Sequence, residues 1–297
     1  MGEGKTRVRG SGLVTAEGFV EKAESGADAS MSVYWLEQSD ADVPAENQWL
    51  SAGEILSLGR MRFAKRRNDW RLGRWTAKRA LAACLNVPCD LLALANIEIR
   101  AAASGAPEVF LFNQTAPVTI SLSHRAGTAM CAIAQSGPGI GCDLEVIEPR
   151  SNAFIADYLT AREQVLVERT IGEERALLVT LLWSAKESAL KALHVGLRLD
   201  TNCMDVSFID GMLPHTEQSR QDIPLVLMGD VDLDRWRPLR VRYSGEQVFC
   251  GWWRRQGGMV RTLVRALPLR SPIESLPVSP GKCPLSSQDL HCWQRIN

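Results

Sequence analysis

The tetrapeptides Trp75-Thr76-Ala77-Lys78 and Trp183-Ser184-Ala185-Lys186 match position by position at a separation of 108 residues. Each lies inside a long stretch whose apolar residues recur at helical spacing, about 66–85 in the first case and 173–195 in the second. Strand-like runs flank both helices. Four coinciding residues carry little alone, but the shared context turns the match into a repeat. It predicts two similar α+β halves, each a small sheet with one long helix packed on it.

The strand pattern fills in the halves. Strands are expected at 32–36, 97–100, 108–112, 118–123 and 128–135, the last continuously apolar as a buried strand should be. Ser136-Gly137-Pro138-Gly139 reads as a turn into a further strand at 140–146. Beyond it come a helix at 161–170, the second long helix with Gly196 as its stop, and strands at 204–209, 224–228, 239–243, 248–253 and 260–266. The expected organisation is a flexible leader (1–30), an N-terminal half (31–138), a C-terminal half (139–268) and a disordered tail (269–297). Phe249, Trp252 and Trp253 read as a core strand with one exposed ring.

Composition excludes several classes. Lys and Arg number 34, as do Asp and Glu, so the formal net charge is zero and overall basicity cannot serve nucleic-acid binding. No apolar run approaches membrane-span length, and residues 1–30 lack the apolar stretch of a signal peptide. The eight cysteines include no C-x-x-C pair, and Cys131, Cys142 and Cys250 lie in apolar runs. A reducing cytoplasm is the expected setting.

Two fragments carry chemistry. In Gly141-Cys142-Asp143-Leu144-Glu145, strand geometry sends Asp143 and Glu145 from the same face. In Trp183-Ser184-Ala185-Lys186-Glu187-Ser188-Ala189-Leu190-Lys191, Glu187 and Lys191 share a helix face with Thr180 and Ser184. Alone, each reads as a solvated strand end and an exposed i,i+4 pair. Together, three carboxylates and a lysine are the parts for holding Mg²⁺ against a phosphate ester. A third concentration runs from Arg60 to Arg79, where nine basic residues face the single acid Asp69. Arginine forks of this kind suit phosphate dianions. No nucleophile elbow, P-loop or zinc spacing is present.

The order strand Asp-x-Glu, helix, then Trp-Ser-x-Lys-Glu-Ser-x-x-Lys resembles the 4′-phosphopantetheinyl transferases, in particular the larger Sfp-type. The resemblance implies a monomer of two pseudo-two-fold-related halves, each with a small antiparallel sheet and a long helix. It implies transfer of 4′-phosphopantetheine from coenzyme A to a serine of an apo acyl or peptidyl carrier protein, with release of 3′,5′-ADP. Mg²⁺ would sit on Asp143, Glu145 and Glu187, with Mn²⁺ able to replace it. Glu187, Lys186 and Lys191 would assist transfer, the two lysines also meeting CoA phosphates. Glu163 matches the family glutamate proposed as general base, a role left open to a metal-bound water; on residue grounds it is a first-turn helix acid after the N-cap Thr160.

On the nucleotide side, Arg66-Arg67-x-x-Trp70-x-x-Gly73-Arg74-x-x-Ala77-Lys78 resembles the segment that meets the 3′-phosphate. Arg67 and Arg74 are first choices, with Arg66, Arg71 and Lys78 behind them. Ser123 and His124 resemble a phosphate-contacting pair. Gly105-Ala106-Pro107 resembles the turn past the adenine, where Ala106 replaces the lysine common in relatives. The carrier-protein surface is expected around 157–170, with Phe154, Ile155 and Leu159 presented. The alternative is a non-catalytic CoA- or carrier-protein-binding module. No nucleic acid or membrane partner is expected.

Overall fold

The computed structural model describes residues 33–135, 139–195, 198–208, 236–243 and 247–266. The expected leader, the tail, the strand at 224–228, the Gly196 stop and the turn residues 136–138 lie outside the described residues. The order is β1 (Val33–Ser39), α1 (Ala52–Gly59), α2 (Ala64–Cys84), α3 (Leu91–Ala95), β2 (Ile97–Ala101), β3 (Pro107–Leu111), β4 (Gln114–Thr115), β5 (Val118–Arg125), β6 (Thr128–Gln135) and β7 (Ile140–Val146). There follow α4 (Asn152–Tyr158), α5 (Ala161–Glu168), α6 (Gly172–Ala192), β8 (Met204–Phe208), β9 (Arg237–Tyr243), β10 (Val248–Gln256) and β11 (Met259–Ala266).

The architecture is α+β with antiparallel sheets. β1-β6-β5 and β2-β3-β4 are three-stranded, and β7-β11-β10-β9-β8 is five-stranded. The N-terminal part therefore holds two small sheets where a single one was expected; in the second, β2 pairs with β3, and Phe112 and Asn113, at left-handed φ values of 50° and 65°, fold β3 back on β4. α2 packs on β1-β6-β5 around Trp49, Trp75, Leu81, Ile120 and Ile133. α6, apolar on most of its circumference, packs on the five-stranded sheet around Leu181, Leu182, Val241, Phe249 and Trp253. Phe249 and Trp253 are buried and Trp252 half-buried, as alternation along β10 requires. A third cluster, with Val33, Met130 and Ala132 meeting Ile140, Cys142 and Leu263, joins the two sheets.

The tetrapeptide repeat has a structural counterpart. Lys78 is sealed from solvent, 2.5 Å from Glu54, and donates to the carbonyls of Trp49 and Leu94. Lys186 is sealed likewise, 2.6 Å from Glu163, and donates to the carbonyls of Tyr158 and Thr201. Each glutamate is the third residue of a capping box, after Ser51 on α1 and Thr160 on α5. Each also accepts a strand N–H, from Ile99 in β2 and Val206 in β8. An ion pair so deep holds only because every remaining proton and lone pair is placed.

Candidate active site

β7 and α6 meet more closely than side chains normally allow. A Cβ at Gly141 would land on the Ser188 carbonyl, and one at Gly139 on the Ala192 carbonyl. Glycine at both positions lets α6 lie directly on the strand. Ser184 and Ser188 bond to Thr262 of β11 at 2.9 and 2.7 Å and fix the same contact from beneath. The result brings Lys191 to Asp143, 2.8 Å from Oδ1, with a second bond of 3.0 Å to the Cys142 carbonyl.

β7 is an edge strand, and its free side is closed by β5 through hydroxyls. Ser121 Oγ accepts from Cys142 N at 2.9 Å, and Ser123 Oγ accepts from Leu144 N at 3.2 Å. Ser123 then donates to Asp143 Oδ1 at 2.9 Å. The serine expected to touch a phosphate is thus buried and committed to the carboxylate. Asp143 Oδ2 is buried with no hydrogen-bond partner, and so is Glu187 Oε1.

The three carboxylates feel one another. Burial and then the Asp143 charge, with Glu145 behind, push Glu187 up to about 7 against the pull of Lys191. Burial and Asp143 also raise Glu145, opposed by Arg125, Arg150 and a hydrogen bond from Trp183. Burial alone would lower the Lys191 ammonium, but Asp143 and its neighbours outweigh that and hold it above its ordinary value. Arg125 and Arg150 stand 3.4 Å from Glu145 and 3.0 and 3.1 Å from Glu148.

Among the described residues no three His, Cys, Asp or Glu side chains stand close enough to hold a metal ion. The donor set nevertheless fits a hard divalent cation. Two buried carboxylate oxygens lack hydrogen-bond partners, and the three acids repel one another.

Two clefts open beside this point. One, of about 360 Å³, is lined by Arg74, Arg100, the 104–107 turn, Ile120, Leu122, Lys191 and His194. The other, of about 640 Å³, is lined by Phe63, Lys65, Arg66, Asp69, Trp70, Gly73, Arg74, Leu122 and His124, with Asp69 paired to Lys65 at 2.7 Å. Arg74 belongs to both. Its guanidinium stacks 4.8 Å from the Trp70 ring and its Nε stands 3.7 Å from Glu54, and burial outweighs that carboxylate to lower its pKa.

The basic residues expected to meet phosphate divide between the clefts and other partners. Arg66, Arg74, His124 and the Gly105-Ala106-Pro107 turn line the clefts. Arg67 is exposed and lines neither, since one residue turns a helix by about 100°. Arg71 is bound to the carbonyls of Pro44 and Ala45. Lys78 is spent on Glu54. Lys186 and Glu163 are placed in the same way: both are fully buried, and both Glu163 oxygens are taken by Val206 N, Thr160 N and Lys186. Burial raises Glu163 against that pairing. Ile155 and Leu159 are core residues rather than presented ones, while Val165 and Ile171 are the exposed apolar side chains nearby.

Arg100, Arg125, Arg150, Phe63 and His194 went unforeseen. Arg125 directly follows His124 at a strand end, which was a usable signal; the others needed the tertiary fold.

Residues 139–253 match the family model of the 4′-phosphopantetheinyl transferase superfamily. The match spans less than half of the chain. It runs from β7 to β10 and so contains Asp143, Glu145, Glu187 and Lys191. α2, the 105–107 turn and His124 fall outside the matched phosphopantetheinyl transferase segment. No curated protein matches the chain. No helix among the described residues is long and apolar enough to cross a membrane.

Proposed function

We propose that the chain is an Mg²⁺-dependent, Sfp-type enzyme that moves 4′-phosphopantetheine from coenzyme A to a serine of an apo acyl or peptidyl carrier protein and releases 3′,5′-ADP. One observation carries the reading: Asp143 and Glu145 of β7 converge with Glu187 and Lys191 of α6, inside the segment that matches the superfamily.

Asp143, Glu145 and Glu187 would hold the divalent cation, which would supply charge to offset the diphosphate and its leaving oxygen. Lys191 is the ammonium beside these carboxylates, already oriented by Asp143 and the Cys142 carbonyl. Its task is to stabilise charge that grows as the bond to 3′,5′-ADP breaks. Arg74, shared by both clefts, takes a nucleotide phosphate together with Arg66 and His124. Ser123 and Trp183 act one step removed, orienting Asp143 and Glu145. The carrier serine enters from the side of Glu145, where Phe154, Tyr158 and Trp183 pack into one aromatic cluster. As its oxygen bonds to the phosphorus attached to pantetheine, the phosphorus–oxygen bond to 3′,5′-ADP breaks and the serine proton passes to water.

The two halves are read as pseudo-two-fold related, supported by the recurrence of the buried Lys–Glu pair. Both sides of the site come from one chain, which suits a monomer in the cytoplasm.

The test is intact mass of an apo carrier protein after incubation with the enzyme, CoA and Mg²⁺. A gain of one phosphopantetheine, abolished by EDTA and by Glu187→Ala, is the expected result. CoA binding without transfer to any peptide-synthetase, polyketide or fatty-acid carrier would leave a non-catalytic module.

A further inference from the structure

Helix α6 ends at Ala192, and two residues later His194 takes a left-handed backbone with φ 57°. Its N–H bonds to the Lys191 carbonyl at 3.1 Å, and Val195 N reaches back to Leu190 O at 3.3 Å. Glycine closes a helix in this way without steric cost, whereas a side chain with a Cβ is strained there. A non-glycine residue in such a conformation, at the edge of a cleft, points to a use for its side chain.

The ring of His194 is exposed and lines the 360 Å³ cleft. Arg74 of α2, Arg100 of β2 and Lys191 of α6 line the same space, and no Asp or Glu is among its walls. Arg100 is aimed rather than loose, held by Glu98 at 2.9 Å and Asn113 at 3.0 Å and stacked on Phe110. Ile120 and Leu122 supply an apolar wall between these groups. Apolar wall with a cationic rim is the complement of a base carrying phosphate.

We infer that His194 is a ligand-binding residue, contacting the phosphorylated adenine nucleotide end of coenzyme A from the α6 side of the cleft. The inference rests on the reading of the chain as a CoA-using transferase and adds to it a residue that the helix end holds under strain.

The experiment is calorimetric titration of 3′,5′-ADP into the full chain and into His194→Gly and His194→Gln, with a thermal melt of each. His194→Gly relieves the backbone and removes the ring. Its 3′,5′-ADP affinity should fall about tenfold, as when a hydrogen bond to a charged group is lost. Its Tm should hold or rise by about 2–4 °C. His194→Gln keeps a hydrogen-bonding side chain on the strained backbone and should recover most of the affinity. Unchanged affinity in His194→Gly, or a Tm that falls along with it, would overturn the assignment while leaving the transferase reading intact. Failure of the unaltered chain to bind either CoA or 3′,5′-ADP would remove both.

Discussion

At the scale of single residues, Glu187 bears the cost of three carboxylates gathered around one ammonium. Its carboxyl is raised to about 7, first by burial and then by Asp143 and Glu145. A raised acid favours the folded state while it is protonated, so that contribution is full below the ordinary glutamate range and is lost as pH climbs through 7. The metal-free protein should therefore lose thermal stability between pH 5 and 8, and Glu187→Gln should flatten that slope. Glu145 and Glu163 are raised in the same direction and leave a residual slope. A divalent cation requires the ionised carboxylate and so competes with the proton. The rise in Tm on adding Mg²⁺ should be small at pH 6 and large at pH 8, with Glu187→Gln losing most of it. Thermal melts across pH with EDTA or with Mg²⁺ read both effects; a Mg²⁺ shift independent of pH would count against Glu187 as a ligand.

At the scale of elements, the contact between α6 and β7 decides where those side chains stand. Gly141→Ala would force a methyl onto the Ser188 carbonyl and push the helix off the strand. The expected loss is about 1–3 kcal/mol in urea unfolding, as for other overpacked sites. Turnover should fall further than stability alone explains, since Lys191 and Glu187 move with the helix. The buried pairs give a second expectation. Lys186→Met strands the Glu163 charge and should cost about 3–5 kcal/mol, and Lys78→Met should cost a similar amount by stranding Glu54. CoA affinity of whatever remains folded should be little changed in either; a selective loss in Lys186→Met would restore that lysine to the phosphates. The same elements show what a sequence can carry. β6 and β7 have the bounds that their apolar runs and the intervening turn prescribe, and Asp143 and Glu145 were legible because strand period is local. α1 was missed although Ser51-x-x-Glu54 announces its start. Arg66 and Arg67 could not be told apart, because the face of α2 that meets the sheet is chosen by Leu72, Trp75 and Thr76 in the folded core. Lys78 and Lys186 carry the chemistry of a phosphate ligand in sequence, and only burial assigns them to glutamates.

At the scale of the whole molecule, the clefts exist only while the two sheets stay in register, since Arg74 and Arg100 come from one part of the chain and Lys191 and His194 from the other. The apolar cluster between the sheets is small, and one polar contact reinforces it. Arg261 of β11 meets Glu37 of β1 with two bonds of 2.6 Å, and its remaining donor is spent on the carbonyls of Gln256 and Met259. Nearby, Trp35 of β1 stacks edge-on against Trp236 at 5.5 Å, with the Arg254 guanidinium 4.4 Å from the Trp35 ring. Arg261 is almost fully buried, so Glu37→Gln leaves a guanidinium without its counter-charge, at an expected cost of about 3–5 kcal/mol. Arg261→Met alone should cost less, because Glu37 is partly exposed and can be solvated. The double variant should be more stable than the sum of the two single losses predicts, which urea unfolding of all four proteins would measure as a coupling. The functional consequence separates a clamp from a mere stabiliser. If the pair keeps the two sheets in register, Glu37→Gln should raise the KM for CoA, whose contacts come from both parts. Metal dependence, set by β7 and α6 within one part, should stay as it was. A variant that loses both together would show that the pair supports the fold at large and does not govern how the cleft closes around its ligand.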